Sequence, residues 1–372
     1  MVPRKRTVFV ILAIAIAAML IATGGLLLYK DSLTRRGFAE SDLHAPLIIY
    51  KDPVKVWTPS TTSQSQPARS LAMYWSITPV YAGYGGTANL TVTNEGATTV
   101  HISGYGLEWV ASGLSTYRND NVNLTPGKSI ELGLLFFKAG NDTGDLEYRI
   151  NLKLAVMTLG GQWHDYGTVH GSERTATIIP SLTYKNYTVT YNQARTFDRI
   201  NSLADQDPVS ALARSIQGNS SYDIQQVCDA YDWVHKNIAY ADDVADYWQS
   251  TSETMSLRTG DCEDQAILTA SIITAMGGTA RVNLVEGHAF PTVYIGNDSF
   301  SVFSIDGAVE SHYGTALTVY FLHDSSGYWM IIDTTGFPYA GGLPTTAGPV
   351  IDGTSAWSFE TTDYLIAIDV MP

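Results

Sequence analysis

The chain has 372 residues, 45% apolar and 16% charged, with a formal charge of −14 at pH 7. That length accommodates two domains of ordinary size, and the apolar share excludes a largely disordered protein. The acidic balance excludes nucleic acid as a partner, because phosphate binding needs clustered Lys and Arg.

The first element in the chain is an uncharged run of 23 residues at 7–29, preceded by Arg4, Lys5 and Arg6. As a helix it would be about 35 Å long, enough to cross a hydrocarbon layer of roughly 30 Å. Leu26-Leu27-Leu28-Tyr29 runs straight into Lys30. No polar, small-residue cleavage site intervenes, so the run reads as an uncleaved transmembrane signal-anchor. Lys30, Arg35 and Arg36 nearly balance the N-terminal basic cluster, so the charge rule gives orientation only weakly. Asn-x-Ser/Thr triplets at Asn89, Asn123, Asn141, Asn186, Asn219 and Asn297 are compatible with export. The expectation is a single-pass protein of the cell membrane. Residues 1–6 form a cytoplasmic tail, and everything after residue 30 is extracytoplasmic.

Residues 30–70 include the Ser/Thr/Gln/Pro stretch TPSTTSQSQPARS and read as a stalk. From 71 to 185 the hydrophobic period is two. It is clear at 88–93 and persists over nine residues at 146–154, and a turn at 125–128 leads into a further strand at 130–137. Short strands separated by turns predict an antiparallel β-sandwich, similar in pattern to immunoglobulin-like modules of surface proteins. It reads as a spacer; His101, His164 and His170 lack metal-ligand spacing. A strand at 187–191 leads into the second domain, set at 186–345. Helices are predicted from Pro208 to Gln217, over 222–238, and from Cys262 to Gly277-Gly278. Strands follow at 280–285, 289–295, 300–305, 316–322 and 328–332, which predicts an α+β domain with an antiparallel sheet. Residues 346–372 read as a tail with a possible last strand at 364–370.

The chain's chemistry concentrates in Gly260-Asp261-Cys262-Glu263-Asp264-Gln265-Ala266, Gly287-His288-Ala289-Phe290 and Trp329-Met330-Ile331-Ile332-Asp333. A thiol at a helix start meets free backbone N–H groups and the positive dipole end, which favour thiolate and can stabilise an oxyanion. Asp261 is placed to cap that helix, and Gly260 to let the chain turn. Glu263 and Asp264 suit the dipole but would oppose thiolate formation, so they are expected to face away and brace the loop. His288 opens a strand and Asp333 ends one. The carboxylate is expected to accept from His288 Nδ1. A disulfide between Cys228 and Cys262 is the competing reading. Cys228, however, adjoins an apolar helical stripe, which suits a buried thiol.

Residues from about 200 to 340 resemble a transglutaminase-like domain of the papain-like thiol-enzyme superfamily. The motifs are Asp246-Tyr247-Trp248-Gln249, Glu253-Thr254 and the three segments above. The resemblance implies an α+β fold with the cysteine heading a helix on the sheet. It implies Cys262 as nucleophile, His288 as base and Asp333 as orienting carboxylate. Trp248 and Gln249 match an aromatic-polar pair that can assist the oxyanion, with Asp261 in support. Pro291 departs from the polar residue many relatives carry. The expected function is a peptidase or amidase, or an acyl transferase, acting on peptide or protein amides without cofactor or metal. The acidic run Asp242, Asp243, Asp246 reads as a solvated turn. The alternatives are a non-enzymatic surface or adhesion protein with a vestigial cleft, and an envelope protein with bridged cysteines. The anchor reading predicts that protease added to intact cells degrades the large domain. Survival of that domain would refute the orientation.

Overall fold

Alternating apolar residues build two facing sheets in the N-terminal half. The structure, a computed structural model, describes residues 55–57 (backbone only), 71–158, 160–242, 247–351 and 356–372. The anchor at 7–29, the tail before it, most of the stalk, and Asp243 and Asp246 lie outside the described residues. Among the described residues no helix is long and apolar enough to cross a membrane.

One sheet runs β1 (Lys55–Trp57), β2 (Leu71–Ile77), β4 (Gly86–Asn94), β7 (Ser129–Phe137), all antiparallel. The other runs β3 (Val80–Tyr81), β9 (Trp163–Ile179), β8 (Gly144–Met157), β5 (Val100–Trp109), β6 (Ser115–Leu124), with only β3–β9 parallel. Trp75, Leu90 and Leu135 from the first sheet meet Tyr105, Ile150 and Leu152 from the second in one buried core. The sandwich is therefore present as the period of two predicts. Asn89 is buried in it, with its amide donating to Glu131. A folded chain offers no access to that triplet, so Asn89 is removed from the candidate glycosylation sites.

Helices and strands of the C-terminal half enclose a second core. Its sheet runs β10 (Thr188–Tyr191), β19 (Tyr364–Asp369), β13 (Ala280–Val285), β14 (His288–Gly296), β16 (Gly327–Ile331), β15 (Phe321–Asp324). All its neighbours are antiparallel except β10–β19. The expected wholly antiparallel sheet thus has one parallel edge pair. Residues 346–372, read as a tail, supply β19, an interior strand of this sheet. A short parallel bridge joins β11 (Ala239–Tyr240) to β12 (Thr259–Gly260), and β17 (Ala347–Pro349) pairs with β18 (Trp357–Phe359).

The helices are α1 (Ala194–Leu203), α2 (Ser210–Gln217), α3 (Ile224–Asn237), α4 (Thr251–Leu257), α5 (Cys262–Ala275) and α6 (Ser299–Tyr313). The helical spacings and caps place α2, α3 and α5 within a residue or two of expectation. Helix α6 overturns the strand read at 300–305. Its short apolar run resembled a strand, but Asp298 accepts from Ser301 N at 2.9 Å and Gly314 closes the far end at φ 64°. Residues 316–320 are irregular, so the strand read from 316 begins at Phe321. Both cysteines are free and Cys228 is buried on α3, which removes the disulfide reading.

Helix α5 is the pivot. From Glu263 through Thr274 every residue is buried, packed against β13, β14 and neighbouring helices. Thr269 and Ser271 return their hydroxyls to carbonyls one turn back, Gln265 O at 2.7 Å and Ile267 O at 2.9 Å, so the polar positions are satisfied locally. The two halves meet through aromatics. Tyr81 Oη donates to Ala347 O at 2.9 Å, and the Tyr84 ring lies 5.1 Å from Phe136 and 6.4 Å from Tyr320.

Ile272→Ala deletes a fully buried side chain at the centre of this packing. It should lower the unfolding free energy by about 2–5 kcal/mol, read from the midpoint of urea unfolding. A loss below about 1 kcal/mol would show that α5 is not tightly packed.

Candidate active site

The head of α5 is held by its own third residue. Asp264 accepts from Asp261 N at 3.3 Å and from Gln249 N at 2.7 Å, tying the incoming 249 loop to the helix start. A side chain at Gly260 would come within 2.7 Å of Asp264 Cβ, so the approach requires glycine. Cys262, half-buried, is the first helical residue. Its Sγ contacts Glu263 Oε2 at 3.1 Å. Burial pushes the thiol pKa well up, the Glu263 carboxyl adds to the rise, and the Ala289 backbone works the other way.

Of the two acids expected to face away, Asp264 braces the loop and Glu263 does not turn outward. On a helix buried all round there is no solvent face for Glu263 to reach. Burial raises its pKa to about 7, against the thiol's bond and with the help of the neighbouring Asp261. Asp261, also buried, thus stands beside the thiol as a further negative group that raises the Cys262 pKa. An ionised carboxylate has no proton to offer an oxyanion, so its part is to support the loop.

His288 follows Gly287, whose φ of 71° suits a residue without a side chain. The imidazole is buried and stacks on Phe290 at 6.0 Å and 16°. Its Nε2 meets Asp333 Oδ2 at 2.8 Å. This corrects the expected Nδ1 contact. Asp333 follows β16, the strand beside β14, and reaches the distal ring nitrogen, which leaves Nδ1 on the other side of the ring. Asp333 also accepts from Thr335 N at 2.9 Å, Thr335 Oγ1 at 2.8 Å and Thr345 N at 2.9 Å. Burial acts to raise the carboxyl pKa. The His288 ring and these donors outweigh it and hold the group below its ordinary value.

The structure therefore pairs His288 with Asp333 and brings the β14 backbone, at Ala289, to the Cys262 sulfur. Among the described residues no hydrogen bond joins that sulfur to the His288 ring. Trp248 is half-buried with the Arg199 guanidinium 3.7 Å over its ring, which makes it part of the packing around the loop. Gln249 is fixed by its backbone, while its side-chain Oε1 is buried without a partner.

A cavity of about 560 Å³ opens beside His288. His235, Tyr240 and Gln265 line it, as do residues 76–79 of the sandwich. Sequence reasoning missed Glu263 as a thiol contact, Tyr240, His235 and the sandwich's share of the wall. Tyr240 reaches the site because it pairs with Gly260 across β11 and β12. Burial and the nearby Cys262 keep its phenol protonated by raising its pKa. No spacing in the sequence announces such a two-residue bridge.

The sequence profile of the Transglutaminase-like superfamily matches residues 210–334, so the chain carries a transglutaminase-like domain there. No curated protein matches the chain. Among solved structures it is similar to a candidate cysteine protease from Cytophaga hutchinsonii, at 13% identity and a TM-score of 0.26 over 82% of this chain and 91% of that one. A candidate protease from Parabacteroides distasonis aligns at 10% identity and a TM-score of 0.24 over 60% of this chain and 62% of that one. At those scores the assignment rests on the profile and not on the alignments.

Glu263→Gln removes the charge beside the thiol and should speed alkylation of Cys262 by iodoacetamide at pH 8 by about tenfold, one unit of thiol pKa. The folded value of about 7 lies above the ordinary 4.5, so native Glu263 favours the folded state at acid pH. That contribution fades as pH climbs from 4.5 through 7, while the variant keeps its stability. Equal alkylation rates would mean the carboxyl does not govern the sulfur.

Proposed function

We propose that this chain is a membrane-anchored, extracytoplasmic thiol hydrolase that cleaves amide bonds in peptides or proteins. Cys262 is the nucleophile, His288 the proton carrier and Asp333 the group that orients the ring. The observation that carries this reading is the buried His288–Asp333 pair at 2.8 Å, on the strand whose next residue touches the Cys262 sulfur.

With Nε2–H donated to Asp333, the neutral ring keeps its lone pair on Nδ1, the nitrogen that can take the thiol proton. In the first half-reaction that proton passes to His288 as sulfur bonds the carbonyl carbon. The C–N bond then breaks, and the imidazolium returns the proton to the leaving amine. In the second, water gives a proton to His288 and its oxygen bonds the thioester carbon. The C–S bond breaks and the sulfur recovers a proton, which restores thiol and neutral imidazole. Backbone N–H groups at the head of α5 are available for the oxyanion, with Gln249 at the same loop.

Glu263 and Asp261 disfavour a free thiolate, so the proton must leave as the carbonyl is attacked. Hydrolysis is preferred over transfer because nothing in the sequence or the cavity marks a dedicated amine-acceptor site.

Peptide cleavage, read as release of new amino termini, should vanish in Cys262→Ala and fall about 10²–10⁴-fold in His288→Ala. Asp333→Asn should retain the fold and lose most of the rate, since it disturbs the ring's tautomer. Undiminished cleavage by the Cys262→Ala protein would eliminate the mechanism.

A further inference from the structure

Two residues that line the cavity beside His288 each carry a buried polar atom without a partner, and they come from different halves of the chain. Ser76 lies on β2, where Leu71, Met73 and Trp75 point into the sandwich core and Ser76 to the opposite face. It is 3% exposed, and its Oγ finds no hydrogen-bond partner among the described residues. His235 lies on α3, its ring stacked on Tyr231 at 5.7 Å and 15°. His235 Nδ1 meets the carbonyl oxygen of Thr334 at 2.7 Å, so Nδ1 carries the proton. In the neutral ring Nε2 is then an acceptor, and it is buried and unpartnered. Buried polar atoms are overwhelmingly paired, and an orphan asks what completes it. Here the residues bearing both orphans line one cavity of about 560 Å³, a size typical of ligand sites.

The lining also fixes the kind of group. Among the described residues no carboxylate lines the cavity, although the chain carries 36 Asp and Glu against 22 Lys and Arg. Ile77, Pro79 and Ile238 give apolar walls, and Lys236 contributes the lining's lysine. His235 Nε2 asks for an N–H or O–H, while Ser76 can donate or accept. A cationic side chain is disfavoured beside Lys236, and a purely apolar one would leave both atoms unpaired.

We infer that this cavity is a recognition subsite, formed jointly by the sandwich and the C-terminal domain, for an uncharged hydrogen-bonding residue flanking the cleaved bond. Ser76 and His235 are its specificity-determining residues. The inference rests on the thiol-hydrolase reading for the place of the reacting bond. It gives the sandwich a part in substrate choice beyond that of a spacer.

The test uses the full chain and a synthetic peptide library with every position varied, with cleaved bonds identified by mass spectrometry. The native chain should favour Asn or Ser over Leu and Lys at one position near the cut. Ser76→Ala and His235→Asn should each lower that preference about three- to tenfold, the worth of one hydrogen bond. Asn at 235 can still donate to the Thr334 carbonyl, so it removes Nε2 while sparing the internal contact. Should the His235 variant misfold, Ser76→Ala, in the other half of the chain, decides the matter alone. Cleavage without positional preference, or a preference that survives Ser76→Ala, overturns the subsite and leaves the thiol mechanism standing. Cleavage that persists in Cys262→Ala strikes down the thiol reading itself, and the subsite's role with it.

Discussion

Everything at this site depends on one buried charge. Asp333 is 3% exposed, and an isolated carboxylate there would cost several kcal/mol, a large share of a domain's stability. It is tolerated because four donors reach it: His288 Nε2, the Thr335 amide and hydroxyl, and the Thr345 amide. Meeting that demand fixes the end of β16, the 334–345 loop and the imidazole at once. The orientation of His288 is thus enforced by the stability of the fold, whether or not substrate is present.

The thiol is under the opposite regime. The head of a helix offers backbone donors to a thiolate, yet Glu263 and Asp261 sit close enough to oppose one. The near-field carboxyl at 3.1 Å outweighs the fractional charge of the helix end. A thiol kept neutral in this way resists oxidation and random alkylation. On the proposed reading, reactivity belongs to the moment when a carbonyl occupies the site and His288 can take the proton.

Much of the fold was legible in the sequence, wherever one physical signal acted alone. The period of two at 146–154 became β8, and the capped helical stripes became α3 and α5. Where signals competed, the weaker-looking one won. At 300–305 an aromatic, β-branched run suggested a strand, while the Asp298 cap and Gly314 stop dictated α6. Cys262, His288 and Asp333 could be singled out as candidates because each sat in a distinctive local setting. The ring nitrogen used, the contact with Glu263 and the cavity wall built from residues 76–79 could not. Each depends on which segments meet in space, and short bridges such as Tyr240 with Gly260 leave no periodic trace.

The position of β19 has a consequence for assembly. It lies between β10 and β13, strands that precede it by long stretches of chain. During vectorial synthesis those two strands emerge with their shared neighbour still unmade, whereas every partner of the sandwich strands is already present by Ile179. The N-terminal half can therefore fold as it appears, while the half bearing Cys262 stays open along one seam until residue 369 arrives. Order of manufacture thereby leaves the surroundings of Cys262 incomplete until the β19 segment exists.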